Sequence, residues 1–181
     1  MLWSLLSEQI VTSEKQIVEI QLNRNLRSEI KVAVKCHFDL PVVVDVPKNL
    51  DDGTPFPTMF WLTCPMYIKK VSTLESHGMV KELDNQLNRN RKLRKLWSKR
   101  QKSYEKERNR KYKSVNNTVS PIGGVGGAVN SIKCLHSHLA DELVTGKNIV
   151  GQIVLENVGG CNCNEPCVTK GTKNDNWRSE W

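Results

Sequence analysis

The rhythm of apolar positions changes several times along the first third of the chain. Over residues 14 to 24, Ile17 and Ile20 recur at helical spacing with Val18 beside them, which predicts a short amphipathic helix. From Lys31 to Cys36 the pattern becomes an alternation, Val32 and Val34 against Lys31, Ala33 and Lys35, and predicts a strand. Val42 to Val46 is rich in β-branched residues and predicts a second strand. Thr58 to Thr63 carries Met59-Phe60-Trp61-Leu62 and predicts a third strand, buried on both faces. The intervening residues 47 to 57 hold an Asp52-Gly53 step and the prolines Pro55 and Pro57, the marks of a rigid loop or long hairpin connection.

Pro65 stands where a helix can start, Met66, Ile68, Val71 and Leu74 continue at helical spacing, and Gly78 is a stop. No Gly or Pro interrupts residues 79 to 113. Val80, Leu83, Leu87, Leu93, Leu96, Trp97 and Tyr104 support one long helix there, with a break near Asn88 or Asn90. At ~1.5 Å per residue it reaches about 50 Å, so part of it is expected to project from the body. Asn116 to Gly127 reads as a Gly-rich linker. Ser131 to Val144, closed by Gly146, reads as a helix with Ile132, Leu135, His136, Leu139 and Leu143 on one face and Cys134, His138 and Asp141 on the other. Ile149 to Leu155 is a last apolar element, and 169 to 181 is a polar tail expected to be disordered. The organisation is therefore an extension at 1–13, one domain at 14–168 and the tail.

Charge changes this picture at one place. The chain has 27 Lys and Arg against 19 Asp and Glu, a net +8 over 181 residues. Residues 89 to 113 alone carry 13 basic and 2 acidic side chains, +11, which leaves the rest at −3. A helix presenting Arg89, Arg91, Lys92, Arg94, Lys95, Lys99, Arg100 and Lys102, interleaved with Trp97, Tyr104 and Tyr112, suits contact with RNA or another polyanion; a solvated helix face is the plainer reading. No run approaches the ~20 apolar residues a membrane-spanning helix needs.

The six cysteines supply the candidate chemistry. The apolar start lacks a basic leader, so a reducing, cytoplasmic setting is expected, where thiols are structural, ligating or catalytic rather than paired. Cys161, Cys163 and Cys167 lie within seven residues on a Gly-led loop. Three soft ligands at that spacing suit zinc, with a fourth from Cys134, His136 or His138. A rival set gathers Cys36, Cys64, Cys134 and Cys167. Buried small hydrophobes are the alternative for Cys36, Cys64 and Cys134, and a hydrogen-bonded core residue for His136. Cys134, His138 and Asp141 at i, i+4 and i+7 invite a nucleophile, base and orienter reading. The glycines before Ser131, with Lys133 nearby, are the makings of an anion site at a helix start, or only a flexible connection.

Taken in order, Val32-Ala33-Val34-Lys35-Cys36, Asp52-Gly53-Thr54-Pro55-Phe56-Pro57-Thr58 running into Trp61-Leu62-Thr63-Cys64-Pro65, Leu74-Glu75-Ser76-His77-Gly78 and Ile132-Lys133-Cys134-Leu135-His136 resemble a bacterial family known as domain of unknown function 501. The resemblance spans about Gln16 to Val168 and implies a cytoplasmic protein with no assigned reaction. The chain departs from the family in carrying Asp141 where relatives have His, in its basic run, and in Cys161 and Cys163.

The expected architecture is α+β: a small β-sheet with helices packed on one side and one long basic helix. The expected function is a non-catalytic binding protein with a Cys/His zinc site and a polyanion-binding helix. The alternative is a small enzyme acting on an anionic substrate through Cys134, His136 and the Gly-rich turn, with Asp141 as a further catalytic candidate.

Overall fold

The protein is described by a computed structural model covering residues 12–47, 49–54, 56, 58–111 and 122–177. The expected 1–13 extension, Tyr112, Lys113 and most of the 116–121 stretch lie largely or wholly outside the described residues. The fold is α+β. Helix α1 (Glu14–Leu22) starts in a capping box, Ser13 accepting from the Gln16 amide while Gln16 caps in return. Strands β1 (Lys31–Lys35), β2 (Pro41–Asp45) and β3 (Phe60–Leu62) form an antiparallel sheet in chain order, with Val32 opposite Val44 and Val43 opposite Leu62.

The strand pattern predicts which face each residue takes. Val32, Val44 and Trp61 meet Val18 and Leu22 of α1 on one side. Val34, Val43 and Leu62 join the main core on the other. Helices therefore cover both faces of the sheet, not one. The fully sandwiched strand is β2, whose Val42, Val43 and Val44 are buried, while Phe60 and Trp61 of β3 stay partly exposed.

Helix α2 (Pro65–Ser76) begins with Pro65 in its first turn, and Gly78, at φ +86°, turns the chain into α3 (Met79–Arg89). The expected long helix breaks at Asn90. That residue is extended and caps the next helix, α4 (Arg91–Lys111), by accepting from the Leu93 amide at 3.0 Å. The described part of α4 does not project. Its Trp97, Arg100, Gln101, Tyr104 and Arg108 are buried, so long polar side chains supply packing that its few apolar residues do not.

The Gly-rich stretch is a packed turn rather than a loose linker where it is described. Val125 is fully buried, and its amide donates to Gln101 Oε1 at 2.7 Å. A Cβ on Gly124 would fall 2.8 Å from the Gln101 Cα, so only glycine lets the turn lie on α4. Helix α5 starts four residues later than expected, running Leu135–Thr145 with Cys134 as its cap and Gly146 at φ +62° closing it. It touches the sheet, α2 and α6 (Ile149–Val158) and forms the centre of the core. The tail is ordered as far as it is described: Val168–Thr169 (β4) and Thr172–Lys173 (β5) form a hairpin against α1. No helix among the described residues is long and apolar enough to cross a membrane.

Candidate functional site

Three chain segments bring sulfur to one place. Cys36 follows β1 in a tight turn, where its amide donates to the Leu40 carbonyl and its carbonyl accepts from Asp39, itself at φ +58°. Cys64 closes β3 and caps α2. Cys161, Cys163 and Cys167 lie on the loop between α6 and β4. All five line one cavity of about 10 Å³, walled by Phe38, Leu40, Pro41, Pro65 and Trp177. That volume suits one monatomic ion or one water.

Cys161 lies between Cys36 and Cys64 in a row of thiols. Contact with Cys161, then burial, pushes Cys36 far above the usual thiol range. Contact with Cys36 favours the Cys161 thiolate, but Cys64 and burial outweigh it and push Cys161 up to about 12. Burial first, and then these sulfurs, push Tyr67 up to about 12 as well. The ligand atoms of Cys36, His37 and Cys161 lie within 4.8 Å of one another. His37 is exposed, and its Nε2 meets the Cys163 carbonyl at 3.0 Å. Cys167 sits further round, 3.5 Å from Gln21 Nε2.

Cysteines of both expected metal sets thus come to one place. The loop cysteines meet Cys36 and Cys64 of the rival set. Cys134, His136 and His138 belong elsewhere, because α5 turns them toward α2 and the core.

Cys134 and His136 form a second cluster with Glu75 of α2. The His136 Nδ1 stands 4.0 Å from the Cys134 sulfur and 3.3 Å from Glu75 Oε1. Its Nε2 stands 3.2 Å from the Ile68 carbonyl and 3.2 Å from Ser72 Oγ. Burial disfavours the charged imidazole, yet Cys134 and Glu75 outweigh it and hold His136 above its ordinary value. Burial likewise opposes the thiolate, while His136 and the amide and hydroxyl of Ser137 overcome it and hold Cys134 below its ordinary value.

Glu75 was not foreseen. A carboxylate in the last turn of a helix faces the negative end of the dipole, and that misplacement is the sequence signal. It serves the start of α5 instead, accepting from the Leu135 amide at 2.6 Å.

The expected nucleophile, base and orienter arrangement of Cys134, His138 and Asp141 does not form. His138 and Asp141 are wholly buried. Asp141 takes a bidentate Arg100 at 2.6 and 2.8 Å and the Asn148 amide at 2.8 Å, while His138 Nδ1 bonds Asn148 Oδ1 at 3.0 Å. Burial lowers His138 despite these partners, so it is a neutral core residue.

Nor does the anion site form at Ser131 and Lys133. The helix begins at Leu135, whose amide Glu75 occupies, and the Ile132 amide donates to Asp84 at 2.7 Å. Two carboxylates hold the positions an anion would take.

Arg100 leaves the polyanion set, since Asp141 and Glu107 saturate it and raise its already high basicity against the effect of burial. Trp97 and Tyr104 are buried and offer no stacking surface. Arg89, Arg91, Lys92, Arg94, Lys95, Lys99 and Lys102 are exposed, and Arg91, Lys92, Arg94 and Lys95 line a shallow groove with Ser98.

No curated protein and no solved structure matches the chain. One family model matches residues 32–156, a span that holds Cys36, Cys64, Glu75, Cys134 and His136 and ends before the 161–167 loop. The chain belongs to that family, described as protein of unknown function (DUF501).

Proposed function

We propose that the protein is a metal-binding protein whose zinc ion is held by Cys36, Cys64, Cys161 and Cys163, and whose exposed basic helix face contacts RNA or another polyanion. The observation that carries the metal reading is five sulfurs from three separate segments around one ion-sized cavity. Zinc prefers four thiolates at ~2.3 Å in a tetrahedron, which sets the sulfurs about 3.8 Å apart. The Cys36 and Cys161 sulfurs lie within 4.8 Å of each other, and Cys161 also neighbours Cys64. Cys163 is taken as the fourth ligand because it lines the cavity as a thiol, whereas Cys167, also on the wall, is turned to Gln21 and His37 is exposed.

Zinc there joins a loop of few apolar residues to two strand ends, and so acts as a structural staple. Six free cysteines suit a reducing, cytoplasmic setting in which ligation rather than pairing protects them. The polyanion reading rests on the cluster of exposed cations at the start of α4, where few carboxylates oppose them.

Protein purified without chelator is expected to carry about one zinc per chain by elemental analysis. Cys161→Ser should lose most of it, and Cys134→Ser should keep it. Zinc that is absent from the wild type, or that survives Cys161→Ser, overturns the metal reading.

A further inference from the structure

The Cys134 cluster has a chemistry of its own, apart from the metal reading. The His136 nitrogens meet a carboxylate and a sulfur at Nδ1, and a carbonyl and the Ser72 hydroxyl at Nε2. An imidazolium places an N–H toward an acceptor at each end of the ring. The sulfur beside it belongs to the cap of α5, where the positive end of the helix and the imidazole favour a thiolate. Gly126, at φ +66°, leans over the same spot. A Cβ there would lie 3.7 Å from the Cβ atoms of both Cys134 and Ser137, so the turn takes up the space on one side of the cysteine.

Two features select the reactant. Glu75 beside the ring, and the amides already occupied by Glu75 and Asp84, make the site unfavourable to an anion. The space taken up by the Gly126 turn favours a small molecule.

We propose that Cys134, His136 and Glu75 form a nucleophile site that reacts with a small neutral hydroperoxide. The Cys134 thiolate attacks one peroxide oxygen. An S–O bond forms and the O–O bond breaks. The sulfur loses two electrons and becomes a sulfenic acid, while the peroxide is reduced. The leaving hydroxide or alkoxide takes the Nδ1 proton of His136 and departs as water or alcohol. Cys134 and His136 are the reacting groups. Glu75 is a positioning residue that orients the ring and favours its charged form.

The test uses the full chain with its metal. A free cysteine is only a few per cent thiolate at pH 7. Cys134 should therefore be alkylated by iodoacetamide at least ~10-fold faster than free cysteine at that pH, as read by peptide mass spectrometry. Its rate should begin to rise at lower pH than that of an ordinary thiol, whose pKa is near 8.5. Hydrogen peroxide should give a sulfenic acid on Cys134 that a 1,3-dione traps.

His136→Asn should move the rate profile toward that of an ordinary thiol, with an unchanged circular dichroism spectrum reporting that the fold survives. Cys134→Ser is the gentler variant, and NMR should show the His136 titration shifting to lower pH when the thiolate is gone. Reaction no faster than free cysteine overturns the proposal. So does an unmoved His136 titration in Cys134→Ser. Alkylation that is blocked until a chelator is added also overturns it, because Cys134 would then be a metal ligand.

Discussion

Asp141 has no exposed surface, and its carboxyl oxygens are held by its neighbours. Arg100 meets it with two hydrogen bonds, and Asn148 adds a third. Removing one partner of such a pair strands the other charge away from water. Asp141→Asn is therefore expected to destabilise the fold by about 3–5 kcal/mol, measured by chemical denaturation. Replacing Asp141 and Arg100 together with Leu and Met should recover most of that loss. At this scale the sequence misleads for one reason. Cys134, His138 and Asp141 do share a direction on a helical projection, but His138 and Asp141 are covered by Arg100 of α4 and by α6. A covered side of a helix is no polar face, so its polar residues are core residues with internal partners. The cysteines show the complementary limit: short spacing identified the loop thiols, while the meeting with Cys36 and Cys64 depends on where β1 and β3 end.

Between elements, α6 fits closely on α5. A Cβ at Gly151 would stand 2.2 Å from the His138 carbonyl oxygen and 2.5 Å from the Glu142 Cβ. Both are backbone or near-backbone atoms and cannot swing aside. Gly151→Ala should cost about 1–3 kcal/mol and lower the melting temperature, whereas the same change at Gly160, with open space around it, should be nearly neutral. Element identity was largely legible: α1, the three strands, the Pro65 start and the interruption near Asn90 all follow from periodicity and punctuation. Element placement was less so. Arg100, Gln101 and Arg108 look like solvent-facing residues in a basic run, yet they fill the space between α4 and the rest of the molecule. Apolar counting cannot see packing made from the stems of polar side chains.

Over the whole molecule the basic run divides. Arg100 is neutralised by Asp141 and Glu107, and Lys111 pairs with Asp45 across the gap to β2. The unopposed charge gathers at the Arg89–Lys95 end. If that end grips a phosphate backbone, binding to single-stranded RNA should weaken with salt by about 0.7 in slope for each phosphate engaged. Changing Arg91, Lys92, Arg94 and Lys95 to Gln should flatten the salt dependence while leaving the melting temperature unchanged. Fluorescence anisotropy across a salt series checks both the slope and its loss, and an absence of binding at low salt counts against the polyanion reading.

The central position of α5 also has a consequence in time. The sheet face it covers is complete once Leu62 has been made, but α5 follows some 70 residues later, about 4–15 s at common rates of synthesis. Throughout that interval Val43 and Leu62 lack their main cover, while α1 can already close the opposite face. The growing chain is thus asymmetric, shielded on one side and adhesive on the other. Its most vulnerable moment falls on the ribosome, before the segment that completes the core has emerged.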